Sequence, residues 1–418
     1  MSRRSRPALR LVAATAASLL LATTACSTKS TEASGDASKP ATGTGVTDTT
    51  IKLGVLTDRT GAFAAAGKGV EQGRELFWRK KNAAGGVCDR KVEFVVKDHG
   101  YNAQHAVSAY SQLKGEVLAL DELLGSPMIA ALLPDLETDE MLTLAVSFSS
   151  SLLANPYVVV TGATYDIEMI NGLHWLAKNG KVAKGDKVGH ILLDGDYGQN
   201  ALAGSRAAAK DLGLSVVEHK IKPTDADLTA QVAALRKDGV KVVLLTTTPA
   251  QTASAVAVAE AGGYDATFVG SNPAFSPALL KSPARAALEK RLLIATSIAP
   301  FSATGAGPAE VRASFVAAFP DQPKTNWVMY GYAQGEVMAQ ILAAACRDGA
   351  LTRPGLLKAF QSLNNVDTAG LLPPLDYGKP GKIPARQVYI VKPDSSIDGG
   401  QRIAEEFFAA PLAKQYQS

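Results

Sequence analysis

Residues 51–89 place the strongest constraint on what this chain can fold into. A β-favouring run over 51–57 feeds a loop with glycines at 61 and 67; a helix is predicted from about Lys68 and stops at Gly85-Gly86. A strand that enters a helix through a loop opens a parallel α/β layer, because parallel strands can be joined only by a covering connection. Ligands bind such open sheets beyond the carboxyl ends of the strands, so function is expected to begin in the loop 58–67.

The pattern then repeats. Strands are predicted over 91–98, 117–124 and 142–146, with helices over 103–113 and 128–136. Small and hydroxyl residues collect at the strand ends: Gly125-Ser126-Pro127 after one, Ser147-Phe148-Ser149-Ser150-Ser151 after the next. A second series starts near Ala163, with a helix over 166–178 and a strand over 187–193 that ends in Asp194-Gly195-Asp196-Tyr197-Gly198. Further strands are expected over 215–220, 240–246, 267–270 and 292–297, a helix over 327–346, and a strand near 387–391 followed by a C-terminal tail. At 418 residues the chain exceeds one ordinary core, and two α/β series imply two lobes with a cleft between them.

The N-terminus stands apart. Arg3, Arg4, Arg6 and Arg10 precede a small apolar run over 11–25, shorter than the ~20 residues that span a bilayer, which marks a signal peptide over 1–25. Thr24-Ala25-Cys26 resembles the lipobox of bacterial lipoproteins, with Thr23 where an aliphatic residue is usual; simple secretion is the alternative. Residues 26–47, mostly Ser, Thr, Ala, Gly, Asp and Lys, read as a flexible linker. Removal of 1–25 takes four Arg and no acid from a chain with 43 basic and 39 acidic residues, leaving a neutral body with no basic face for nucleic acid. Export leaves Cys88 and Cys346 free to pair, or to remain two buried thiols. No cofactor or metal spacing is present, and the five His (99, 105, 174, 190, 219) are scattered. No GxSxG, P-loop or HExxH occurs, and the 67–73 glycine run starts too far from its strand for a dinucleotide fingerprint, so an enzyme is not expected.

Three segments in order, IKLGVLTDRTGAFAAAGKGVEQGRELFWRKKNAAGGVCDRKVEFVVKDHGYN, GSPMIAALLP and NPYVVVTG, followed by ILLDGDYGQN, FVGSNPAFSPALL and VMYGYAQGEVMAQIL, resemble the type I periplasmic binding proteins, specifically the Leu/Ile/Val-binding family of ABC-transporter receptors. The resemblance covers roughly residues 50–391. It implies an α/β fold of two Rossmann-like lobes joined by three crossovers near Gly162, Ser297 and Val366, with the ligand in the cleft. The lobes would comprise 48–163 plus 297–366 and 164–296 plus 367–418. Cys88 and Cys346 then share a lobe, which strengthens the case for a disulfide. The implied role is a monomeric, lipid-anchored receptor on the outer face of the cell membrane. It would deliver a small polar solute, a branched-chain amino acid or related amide or carboxylate, to a membrane permease. A receptor that signals to a sensor kinase is the alternative.

Carried over by position, the resemblance assigns a ligand carboxylate to Ser126, Ser147 and Ser149, an aromatic over the ligand to Tyr197, and a side-chain pocket wall to Trp327. Each Ser also fits a helix cap, and Trp327 a core aromatic. Two positions depart from the family: an alanine near Ala66 replaces a site Tyr, and Asn272, beside Ser271, stands where an acid pairs with the ligand's ammonium. A buried ammonium without a partner is costly, so an α-amino acid would need Asp58, Asp194 or Asp196 in that role.

Overall fold

Strand β1 (Thr50–Thr57), buried over most of its length, is the second strand of a five-stranded sheet completed by β2 (Lys91–Asp98), β3 (Ala119–Leu124), β4 (Thr143–Val146) and β5 (Val158–Val160). All neighbours are parallel, in the order β2-β1-β3-β4-β5. The computed structural model describes residues 41–417; the expected signal peptide, the Cys26 anchor and the first part of the linker lie outside the described residues. Helices α1 (Ala64–Ala83), α2 (Ala103–Leu113) and α3 (Ser126–Thr138) connect the strands. The α2 and α3 side chains bury one face of the sheet, in a cluster that includes Leu56, Leu120, Leu123 and Leu132.

The chain then enters a second sheet through α4 (Tyr165–Lys178). In order follow β6 (Lys187–Leu193), α5 (Asp196–Leu212), β7 (Ser215–Ile221), α6 (Thr229–Lys237), β8 (Val242–Thr246), α7 (Pro249–Ala261), β9 (Thr267–Ser271), α8 (Arg285–Arg291) and β10 (Leu292–Thr296). The parallel part runs β7-β6-β8-β9-β10, the same order as the first sheet. This is the doubly wound arrangement, in which a crevice opens where the strand order reverses. After β10 the chain returns to the first sheet as α9 (Ala306–Ala318), α10 (Asn326–Arg347) and α11 (Arg353–Gln361). It ends as β11 (Val388–Pro393) and β12 (Gln401–Phe408), which add antiparallel to β10, and α12 (Pro411–Gln415).

Several elements differ from expectation for identifiable reasons. Helix α1 begins at Ala64, not Lys68, because the Asp58 carboxylate accepts the N–H groups of Thr60, Gly61 and Phe63 and closes the loop early, leaving the alanine run free to be helical. The supposed linker is ordered before Thr47: Ala41–Thr42 pairs in parallel with Ala350–Leu351, and Val46 bridges Ile51. The C-terminal tail is an edge strand whose Ile403 and Phe407 pack on the core while Arg402 and Glu406 face water.

Helix α10 is buried along almost all of its 22 residues and lies against α1. The helices touch backbone to backbone. A Cβ on Gly73 would stand 2.0 Å from the Val328 carbonyl oxygen, and one on Gly331 would stand 2.0 Å from that of Val70. Cys88, after α1, and Cys346, in the last turn of α10, are joined with their Cα atoms 6.3 Å apart, which pins the far ends of the same helix pair.

Strand β3 is buried at all six positions, Asp121 and Glu122 included. Glu122 pairs with Arg74 of α1 inside the layer. Burial pushes the Asp121 carboxyl up to about 7, against the pull of Arg74 and with a further push from Glu122.

Two outcomes follow from this packing. Gly331→Ala is expected to cost about 1–3 kcal/mol, read as a lower melting temperature, because the methyl meets a backbone carbonyl that cannot rotate away; Gly115→Ala, with no atom within 4 Å of its Cβ, is the control and should change stability little. Because the folded protein keeps the Asp121 proton that the unfolded chain releases near the ordinary carboxylate value, this group stabilises at low pH. That contribution is lost as pH rises from about 4 through about 7. Asp121→Asn should reduce the fall in stability across that window by up to about 1.4 kcal/mol per pH unit, measured by denaturant titration at stepped pH; an unchanged slope removes Asp121 as the source.

Candidate functional site

The carboxyl ends of both sheets converge on one narrow cavity of about 20 Å³. The loop after β1 supplies Phe63 and the first turn of α1 supplies Ala66, the loop after β2 supplies Tyr101, and the end of β3 with the start of α3 supplies Leu124, Gly125 and Ser126. Val146 ends β4, Tyr165 opens α4, Tyr197 lies in the first turn of α5, Pro273 follows β9 and Trp327 lies in the first turn of α10. The β1/β3 switch point of the first sheet thus forms much of one wall, as the strand order requires.

Gly125 turns the chain from β3 into α3 with φ 100°, a conformation that favours glycine, and leaves Ser126 in the helix's first turn, where backbone N–H groups lack helical partners. The Ser126 Oγ lies 2.7 Å from the Ser147 Oγ. The Tyr165 phenol sits beside both hydroxyls; burial holds it in its neutral form, and those two serines oppose the shift only weakly. The Tyr197 hydroxyl is hydrogen-bonded to the Ser271 Oγ, and burial likewise drives its phenol well up. Tyr101 is raised by burial too. All three phenols are neutral at physiological pH and can donate. Ring contacts tie the lining together: Phe63 lies 4.7 Å from Tyr101 and Tyr165 lies 4.5 Å from Tyr197, centroid to centroid.

Among the described residues, no charged side chain lines this cavity. Asp58 is occupied by the three amides of its own loop. Asp194 points to Lys220, 3.6 Å away, and Asp196 accepts from the Ser151 hydroxyl at 2.6 Å. Asn272 lies behind the wall: its side-chain oxygen accepts from Thr296 (2.8 Å) and Asn326 (2.9 Å), while its N–H donates to Glu168 (3.1 Å). Of the residues singled out in the sequence, Ser126, Tyr197 and Trp327 line the cavity and Ser147 backs Ser126. Ser149, hydrogen-bonded to Ser151 at 2.9 Å, and Asn272 do not line it, since each is held by polar neighbours on the far side.

The sequence reading missed Phe63, Tyr101 and Tyr165. Each follows a strand end by a few residues, and Tyr101 is held at φ 56°, a conformation non-glycine residues seldom adopt. Beside the cavity a second set of contacts joins the two sheets. The Ser150 hydroxyl donates to Asp166 (2.8 Å) and accepts from Asn200 (2.6 Å), next to the Ser151–Asp196 bond. Among the described residues no group of three or more His, Cys, Asp or Glu is placed to hold a metal ion, and no helix is long and apolar enough to cross a membrane.

The chain matches the family model for periplasmic binding proteins over residues 50–401. Curated relatives include Leu/Ile/Val-binding protein homolog 3 of Brucella melitensis, 26% identical over 210 residues, which are 46% of this chain and 53% of that protein. Leu/Ile/Val-binding protein homolog 8 of Brucella abortus is 29% identical over 220 residues, 47% of this chain and 51% of its own. The chain thus spans about half the length of the curated relatives it matches. Among solved structures, a fatty acid ABC transporter substrate-binding protein from Thermomonospora curvata is 43% identical with a TM-score of 0.88, covering 90% of this chain and 97% of that one. A branched chain amino acid ABC transporter from Thermus thermophilus with bound valine has a TM-score of 0.74 at 18% identity, covers 88% of this chain and 99% of that one, and shares the fold alone. Two sheets of one strand order, a cavity at their facing carboxyl ends and a family match over most of the sequence lead to one assignment: the chain belongs to the periplasmic binding protein family, in its two-lobed type I form.

Proposed function

We propose that the protein is an exported receptor for an apolar monocarboxylic acid, which it hands to an ABC permease in the membrane. The observation that carries this reading is the chemistry of the cavity: aromatic and aliphatic walls, neutral hydroxyl donors at Ser126, Ser147 and Tyr165, and no acid in the lining. Hydroxyls and helix-start amides accommodate an anion without a buried cation, so a carboxylate is served. An ammonium group is not, because none of Asp58, Asp194 and Asp196 lines the cavity and Asn272 carries no charge. The branched-chain amino-acid expectation therefore narrows to the carboxylate half of such a ligand. That the Thermomonospora curvata relative is named for fatty acids supports the same class.

The mechanism is a population shift. Open and closed arrangements of the lobes exchange, a ligand that touches both sheets favours closure, and the closed pair of lobe faces is what the permease reads. Tyr101 and Ser126 on one side and Tyr197 on the other give a ligand such two-sided contacts. The signal peptide and the Cys26 lipid anchor complete the reading: a monomeric receptor held at the outer face of the membrane by its linker. No step in it is catalytic.

Matched ligands test the ligand class. In a thermal-shift assay, 4-methylpentanoate should stabilise the protein more than leucine, which has the same branched tail plus an ammonium; at a concentration near 100 Kd the gain is about 2.7 kcal/mol. Tighter binding of leucine would sink the assignment. Ser126→Ala should weaken the carboxylate by about 1.5–3 kcal/mol, the usual worth of a hydrogen bond to a charged group.

Closure has its own test, because Ser151 does not line the cavity. Ser151→Ala removes a bond to Asp196 that joins the two sheets, and by calorimetry should weaken ligand binding by about 0.5–1.5 kcal/mol. Unchanged affinity would separate that bond from closure.

A further inference from the structure

A second and larger cleft, about 490 Å³, is built from the same three segments of chain. Where α1 gives Ala66 to the inner cavity, it gives Ala64, Ala65 and Gly69 to the outer cleft. Pro273 lines the inner space, and Ser276, Pro277 and Ala278 line the outer one. Trp327 lies inside, and Pro323 and Thr325 lie outside. Residues of the first turns of α1 and of the 323–327 segment thus line both spaces. There α1 opens with three alanines and carries glycine at 67 and 69. A Cβ on Gly69 would stand 2.7 Å from the Trp327 Cβ and 3.1 Å from the Thr325 Cγ2.

The outer walls suit a hydrocarbon. Alanine, glycine and proline make up half of the lining residues, Arg59 is held on Glu71 at 2.7 Å, and the exposed Lys68 is the remaining charge. We propose that the two spaces form one path for an unbranched acyl chain. The carboxylate sits in the inner cavity and the tail runs past Ala66 and Trp327 into the cleft between α1 and the 276–278 segment. The receptor then selects by chain length, a property the inner cavity alone does not confer. This rests on the apolar-carboxylate reading above. Since each buried methylene is worth about fourfold in affinity, a tail that continues into the outer cleft keeps gaining after the inner cavity is full.

The test is calorimetric titration of the protein with straight-chain monocarboxylates from butanoate to dodecanoate, below their micelle concentrations. Affinity should climb through the whole series. Ala65 and Ala278 are exposed and line only the outer cleft, on its opposite walls. Ala65→Trp and Ala278→Trp should each weaken dodecanoate by about tenfold or more, several methylenes' worth, and leave hexanoate unchanged. Melting curves matching the parent confirm that both variants fold. Hexanoate binding with a flat series, or variants that weaken short and long acids alike, overturns the tail path while leaving the ligand class standing. Failure of every carboxylate to bind overturns both.

Discussion

A strand in a parallel sheet cannot return by a hairpin, so each connection crosses a face and every strand ends at the same edge of the sheet. The rest of this molecule follows from that constraint, applied twice. Both sheets use one strand order, both leave their carboxyl ends facing the same space, and the loops that leave those ends carry short side chains or aromatic rings. Helices must begin there as well, and five of them, α1, α3, α4, α5 and α10, bring their first turns to the cavity. A helix start offers amide donors without charge. The fold therefore supplies anion-binding capacity before any side chain is chosen.

The same geometry fixes how the two halves are tied. Where the chain first leaves the five-stranded sheet, Ala163 N–H donates to the Ser297 hydroxyl at the second crossing (3.0 Å), and Glu168 accepts from Asn272 at 3.1 Å. On the other side α10 must come back to α1 closely enough that the connection does not widen the cleft, which the Gly73 and Gly331 contacts achieve. Burial drives the Glu168 carboxyl well up at this junction, against the hydrogen bond from the Asn272 backbone N–H. Polar groups at the crossings thus hold backbone, and backbone position sets the width of the space between the sheets.

How far this was legible in the sequence depends on the range of the forces involved. Strand and helix identities over 51–351 follow from local pattern, because parallel strands buried on both faces read as apolar runs. Ser126, Tyr197 and Trp327, assigned by position from the family resemblance, are among the residues that line the cavity. Tyr165 and Tyr101 were not assigned, since nothing local distinguishes a tyrosine aimed at the cleft from one in the core. Asn272 and Ser149 misled for the opposite reason: each has the right chemistry in the right segment, but a neighbour distant in sequence, Asn326 for the one and the Ser151–Asp196 pair for the other, turns it away. The edge strand β12 was missed because QRIAEEFF mixes charge with apolar residues, as an edge facing water on one side must.

The distribution of acids around the cavity is the clearest physical argument about ligand chemistry. Asp58, Asp166, Glu168 and Asp196 are all kept out of the lining, and each accepts from backbone amides or from hydroxyls of a neighbouring loop, although one oxygen of Glu168 and one of Asp196 are left without a hydrogen-bond partner. A carboxylate used in this way shapes a loop and cannot also neutralise a cation without losing the bonds that hold the loop in place. Converting the site to amino-acid binding would therefore take more than one substitution at Asn272. Its side chain is the acceptor for both Thr296 and Asn326, and a charge there would be buried behind the wall that Pro273 and Trp327 form. The neutral lining is a consequence of how the cleft is held together, which makes ligand class and lobe geometry one property of the chain.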